Sequence, residues 1–174
     1  LVTDKVPLGA TKISGSGDWI YYYRVSEGKG EIWRIPGGGG KPEKLAGEYT
    51  GFPVPSPDGT QLAVIFRRPA TPNLRQVAII PIANPGDAKI IKGLEGITSP
   101  VIRWTPDGKS LSFIKSSGMS SEVWSVTLDN QKQTQITRFD SGIILDFEWS
   151  RDGRRLAVAK VLERSDAVVL GLRP

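Results

Sequence analysis

The stretch "VIRWTPDGKSLSFI", Val101–Ile114, decides the fold because it recurs. "PVPSPDGTQLAVIF" begins at Pro53, "DFEWSRDGRRLAVA" at Asp146, and a degenerate copy, "KISGSGDWIYYY", at Lys12. Setting the glycines in register aligns Gly17, Gly59, Gly108 and Gly153 at intervals of 42, 49 and 45 residues. A period in this range marks a repeat architecture and governs how every local motif is read.

In each copy the glycine follows Ser/Thr-x-Asp or its degenerate form. Pro57 and Pro106 supply the φ that the first central position of a type I turn requires. Aspartate caps the turn with its side chain, and glycine takes the left-handed position of a three-residue hairpin loop. Apolar residues stand before the turn (Val54, Trp104, Trp149) and after it (Leu62 to Phe66, Leu111 to Ile114, Leu156 to Ala159). Each copy therefore predicts two antiparallel strands.

A third β-branched and aromatic run follows: "EIWRI" from Glu31, "QVAII" from Gln76, "EVWSV" from Glu122 and "DAVVL" from Asp166. Its apolar residues fall on both faces, as in strands sandwiched between neighbouring sheets. A more polar fourth run appears as "PEKLA" from Pro42, "DAKII" from Asp87 and "QTQIT" from Gln133. Four antiparallel strands, repeated, describe the blades of a β-propeller. The predicted fold is all-β, one segment over 1–174, with repeats at about 10–51, 52–97, 98–141 and 142–174.

Composition narrows the chemistry. The chain of 174 residues has no histidine and no cysteine, so Ser-His-Asp and Cys-His mechanisms, thiolate metal sites and disulfides are all excluded. We expect no catalysis within this chain, no cofactor and no metal. Asp58, Asp107 and Asp152 recur once per blade, which separates them instead of gathering the six to eight oxygens that calcium takes. The net charge of +5 is spread over 23 basic and 18 acidic residues without a long run, which reads as a basic surface and predicts no nucleic-acid partner. No apolar run approaches the ~20 residues of a membrane helix, so this segment is not expected to insert in a membrane.

The four glycines of "IWRIPGGGGKPEKL" invite a phosphate-loop reading. That loop needs G-x-x-x-x-G-K-[ST] followed by a helix, whereas Lys41 is followed by Pro42 and a predicted strand. Aligned without gaps, Gly37 to Gly40 fall opposite Leu128 to Gln131, and the run reads as the outer hairpin of the first blade.

The turns after a tryptophan-bearing strand, followed by "EIWRI" or "EVWSV" and then "LA" or "IT", resemble the Pro-Asp-type, WD-repeat-like propellers of the TolB-like family. The resemblance is weaker in the first copy, where Ser16 replaces the turn aspartate and Gly15 the proline. The ending from Phe147 also resembles the C-terminal propeller of bacterial multidomain regulators, in which it follows a protein-kinase or winged-helix domain. The resemblance implies a platform for a protein or peptide partner, with a sensory or scaffolding role, and favours a periplasmic or extracytoplasmic location. It also leaves open a propeller accessory to a hydrolase or lyase acting on peptide or polysaccharide, and a module for self-assembly. No G-x-S-x-G elbow of a linked hydrolase is present in this stretch.

The repeat spacing places the last blade's outer strand beyond Pro174, and we expect four blades that are part of a larger ring, or a ring completed by a second copy or another chain. The alternative, in which "LVT" from Leu1 closes the last blade, leaves fewer open sheet edges.

Partner-binding residues are expected in the loops joining the second strand to the third and the fourth strand to the next blade. "RRPATPNLR" from Arg67 reads as the longest of these, and Arg67, Arg68 and Arg75 have the forked donors that hold carboxylate or phosphate. Tyr49, Glu95, Arg138 and Asp140 complete the candidate set from the neighbouring loops. Tyr21, Tyr22 and Tyr23 do not form one stacking surface, because strand alternation turns Tyr22 away from the other two. These tyrosines and the tryptophans at 33, 104, 124 and 149 read as packing residues.

Overall fold

The repeated turns form as their residue types dictate. Gly59, Gly108 and Gly153 take φ of 71°, 69° and 70°, and their N–H groups donate to the carbonyls of Ser56, Thr105 and Ser150 at 2.8–2.9 Å. Only glycine enters that left-handed region without a steric penalty. Asp58, Asp107 and Asp152 each accept from the hydroxyl two residues earlier at 2.6 Å and from the backbone N–H two residues later at 3.0–3.1 Å. These hydrogen bonds hold all three carboxyls below the usual aspartate range, the hydroxyl partner being the main cause. In the first copy Ser16 stands in, with a 3.3 Å contact to the Ser14 hydroxyl and a 3.4 Å bond from the Asp18 N–H.

The computed structural model describes residues 8–27, 29–47, 50–68, 70–118, 120–161 and 165–171. It divides into two units, Leu1–Gly96 and Ile97–Pro174. The first unit holds two sheets. Sheet 1 comprises β1 (Leu8–Ile13), β2 (Trp19–Ser26), β3 (Lys29–Pro36) and β4 (Glu43–Ala46), and sheet 2 comprises β5 (Thr50–Pro55), β6 (Gln61–Arg68), β7 (Thr71–Pro81) and β8 (Lys89–Ile91). The second unit holds sheet 3, from β9 (Ile102–Trp104), β10 (Ser110–Ser117), β11 (Ser120–Thr127) and β12 (Gln133–Gln135), and sheet 4, from β13 (Ile143–Trp149), β14 (Arg155–Val161) and β15 (Ser165–Gly171). Every sheet is an antiparallel meander in sequence order, four-stranded in the first three and three-stranded, among the described residues, in the fourth. This is the all-β, bladed architecture that the repeats predict. One short 3-10 turn, Pro85–Asp87, interrupts the strands.

Each unit has its own core. In the first, Tyr21 and Ile32 of sheet 1 pack on Leu62, Val64, Ala78 and Ile80 of sheet 2. In the second, Ile114 and Val123 of sheet 3 pack on Phe147, Leu156 and Val158 of sheet 4. Burying a side chain of this size contributes about 1.5–3 kcal/mol, so these faces hold each sheet pair together. Trp149 adds a polar tie, its indole N–H donating to the Ser112 hydroxyl at 3.1 Å. The glycine run lies between β3 and β4 with the Gly39 N–H on the Pro36 carbonyl, and a strand follows it, as an outer hairpin requires.

The structure corrects one reading of the loops. "RRPATPNLR" is drawn into strands, since β6 runs to Arg68 and β7 starts at Thr71. Arg67 pairs with Arg75 and Arg68 with Thr71, and the surplus residues sit in a bulge between those two pairs. Pro72, which has no N–H for the ladder, falls within that bulge, where strands tolerate it. The hairpins at Ser26–Lys29 and Ser117–Ser120 are equally tight.

Candidate functional site

Strand pairing puts Arg67 and Arg75 directly opposite one another, so both leave sheet 2 on one face. Arg67 is exposed and Arg75 half-buried. Together with Ile65 they line a cleft of about 310 Å³ at one end of the first unit. Tyr23, Val25 and Gly30 line it from sheet 1, and Thr50, Gly51 and Phe52 from β5.

Two features shape the walls. The Tyr23 and Phe52 rings meet with centroids 5.5 Å apart at 43°, a tilted aromatic pair of the favourable kind. Phe52 has φ 54°, a left-handed conformation that a bulky side chain rarely adopts and that costs on the order of 1–3 kcal/mol. It lies where the β5–β6 register shifts between Gly51 and Val54. Gly30 is required on the opposite side, because a Cβ there would run into the Thr50 carbonyl oxygen.

A second charged group lies on the other face of sheet 1. Glu31 accepts from Arg24 Nε at 3.0 Å, from the Trp33 indole at 3.0 Å and from Lys44 Nζ at 2.5 Å. Arg24 also stacks 3.9 Å above the Trp33 ring. The Lys44 hydrogen bond leads in holding the Glu31 carboxyl down to about 2, with Arg24 and Trp33 adding to it against the opposing effect of burial. Every group here has a partner, so the cluster acts as a clasp across β2, β3 and β4. A further crevice between the outer strands, about 510 Å³, is lined by Leu45, Val64, Phe66, Ala78 and Ile80 among others, without charged side chains, and reads as a gap in sheet packing.

Of the residues singled out in the sequence, the structure brings Arg67 and Arg75 together and places the Arg68 backbone beside them. Glu95 is exposed after β8, where the N–H of the adjacent Gly96 donates to the Arg75 carbonyl at 2.7 Å. Arg138 and Asp140 are exposed in the connection from β12 to β13 of the second unit. Tyr49 lies outside the described residues. Tyr21 and Tyr22 are buried, as packing residues are, but Tyr23 belongs to the cleft wall. Tyr23, Phe52 and Gly30 are the site residues that the sequence reading missed. Asp58, Asp107 and Asp152 each serve their own turn, and no group of three potential metal ligands gathers among the described residues.

No protein-family model matches the chain, and no curated protein does. Solved structures do. TolB from Acinetobacter baumannii is 19% identical with a TM-score of 0.75, over 97% of this chain and 41% of that one. The β-propeller domain of the Trilobed protease from Pyrococcus furiosus is 17% identical with a TM-score of 0.62, over 94% of this chain and 54% of that one. Oligopeptidase B from Leishmania major is 15% identical with a TM-score of 0.68, over 98% and 26%. The chain thus spans less than two thirds of each of these structures. Likeness at this level of identity speaks to architecture: the chain has the fold of a TolB-like β-propeller.

Proposed function

We propose that the chain is a non-catalytic binding module, a stretch of propeller whose cleft between the ends of sheets 1 and 2 receives a segment of a protein or peptide partner. The observation that carries this reading is the juxtaposition of two arginines, an aromatic pair and a strained Phe52 around one concavity. Backbone strain costs stability, and it concentrates where a chain binds something. The lack of histidine and cysteine supports a role without nucleophilic chemistry.

The test is to immobilise the purified chain, identify what it retains saturably from native extract, and rebuild the complex from purified components. A reconstituted complex with a defined affinity supports the module. Failure to retain any saturable partner, or turnover of peptide or polysaccharide by the purified chain, overturns it. Likeness to the Trilobed protease propeller and to oligopeptidase B favours a second reading, the propeller of a larger hydrolase. Peptidase activity of a full-length polypeptide carrying this chain would select that reading.

A further inference from the structure

Across the four sheets, the residue seven places beyond the turn glycine follows one rule with one exception. Arg24 in sheet 1, Lys115 in sheet 3 and Lys160 in sheet 4 each stand opposite an acid on the third strand, Glu31, Glu122 and Asp166. Base against acid is the favourable cross-strand combination. The same three cations also lie over aromatic rings: Arg24 is 3.9 Å from the centre of Trp33, Lys115 4.6 Å from Trp124 and Lys160 4.1 Å from Phe139. All three distances fall within the roughly 6 Å over which a ring face attracts a cation. Sheet 2 breaks the rule. Its residue at that place is Phe66, opposite Gln76, and its cation stands one step further out as Arg67. Among the described residues no aromatic ring stacks on Arg67, which is exposed and borders the cleft instead.

An acid and a ring do not compete for a guanidinium, because its N–H groups lie in the plane and the ring takes the face. Arg24 donates to Glu31 through Nε while its plane covers Trp33, and Arg34 donates to Glu43 while lying 4.0 Å above Trp19. A ring can therefore cover the exposed Arg67 whatever its edge bonds to. The rest of the cleft suits the same guest. Tyr23 and Phe52 already form a tilted pair, and a third ring beside them gains a further contact of that kind. Val25 and Ile65 add apolar surface. A volume of about 310 Å³ lies at the small end of ligand pockets and takes one large side chain. We infer that the cleft seats one aromatic side chain of the partner peptide, tryptophan above phenylalanine, against Tyr23 and Phe52 with Arg67 over its face. This deepens the reading of the chain as a binding module and rests on it.

The decisive contrast is a ring against apolar volume. Three uncharged peptides are titrated into the whole chain with NMR detection: N-acetyl-Gly-Trp-Gly-amide, N-acetyl-Gly-Phe-Gly-amide and N-acetyl-Gly-cyclohexylalanine-Gly-amide. Cyclohexylalanine keeps the outline of phenylalanine, is more apolar and has no π face. Saturable binding of both aromatic peptides is expected, tryptophan the tighter, with cyclohexylalanine about fivefold weaker than phenylalanine. Arg67→Gln should weaken the tryptophan peptide about fivefold, and Arg67→Lys, which keeps the charge without the plane, should fall between. Arg67 is exposed, so these variants should fold as the parent does, and thermal unfolding checks it. Tyr23→Leu keeps apolar bulk without a ring, and should weaken the aromatic peptides while leaving the cyclohexylalanine peptide unchanged.

No saturable binding of either aromatic peptide overturns the site. So does cyclohexylalanine binding as tightly as phenylalanine, or a tryptophan affinity unchanged in Arg67→Gln. A protein partner captured equally by the parent and by Arg67→Gln would leave the module standing and remove this site from it. Aromatic peptides that bind as expected while no protein partner is retained would keep the site and overturn the module.

Discussion

The two sheets of the first unit treat charge at their hairpin ends in opposite ways. In sheet 1 Glu31 is closed in by Arg24, Lys44 and Trp33, so the charge is neutralised where it stands. In sheet 2 the aligned pair is uncharged, and two arginines face each other one register step beyond it. The cluster in sheet 1 contributes to holding its own strands together. The arginine pair in sheet 2 lines a cleft. A repeat makes such a difference readable, because three copies state what the scaffold needs and the fourth departs from it.

The sharpest way to break the comparison is at Gly30, the sheet 1 counterpart of Arg75. Sheet 1 has no room for a side chain there, since a Cβ would meet the Thr50 carbonyl, a backbone atom that no rotamer change can move. Gly30→Ala should cost about 2–3 kcal/mol, the range of overpacking in a closely packed site. Gly38→Ala, with nothing within 4 Å of the added Cβ, is the control and should stay within about 0.5 kcal/mol. Urea unfolding of both variants measures the contrast.

Glu31→Gln tests the neutralised side. It should cost on the order of 1 kcal/mol at neutral pH, the upper end for an ion pair near the surface, since it removes a carboxylate shared by three donors. The folded carboxyl sits at about 2 against an ordinary 4.5. Its contribution is therefore complete above the ordinary value and fades as pH falls toward the folded one. Parent and variant should differ in urea midpoint at pH 7 and converge near pH 2. A difference that persists at the acid end would show that packing, not charge, supplies the effect.

Asp107→Ala, which removes the Thr105 and Lys109 hydrogen bonds, should cost about 1 kcal/mol. The Asp107 carboxyl is held below its usual range chiefly by the Thr105 hydroxyl, so this increment too is present above the ordinary aspartate value and lost below it. The first copy manages with Ser16 at 3.3 and 3.4 Å. Ser16→Ala should accordingly cost less than Asp107→Ala when both are compared by thermal unfolding.

These turns were legible in the sequence because their chemistry is local: proline sets one φ, glycine permits another, and aspartate bonds to atoms two residues away. Strand order followed, since each turn fixes its own hairpin. The cleft was only half legible. Arg67 and Arg75 were visible as residues, but reading their segment as a loop hid their cross-strand pairing, which depends on a bulge that absorbs Pro72. Tyr23 and Phe52 reach the cleft through packing of sheet 1 against β5, and the left-handed backbone of Phe52 has no signature in residue type. The usable signal was the broken rule at Phe66 and Gln76, which appears once second and third strands are paired instead of read in line.

The smallest expected effect concerns that same exception. Gln76 is buried, and its side-chain oxygen is the one buried side-chain acceptor without a hydrogen-bond partner among the described residues. Its counterpart Glu122 in sheet 3 accepts from the Thr137 hydroxyl and the Phe139 N–H, whereas Gln76 stands opposite Phe66, which offers no donor. Leaving an acceptor unpaired costs more than replacing it by an apolar group of similar shape. Gln76→Met keeps the length of the side chain, removes the orphaned oxygen and adapts to the available space. It should stabilise the chain by about 0.5 kcal/mol, read as a rise in urea midpoint at unchanged slope. Because Gln76 does not line the cleft, peptide affinity should stay as in the parent. A variant that gained stability and lost affinity would make the unpaired oxygen part of the binding site, and the exception in sheet 2 would then extend to both of its departures from the repeat.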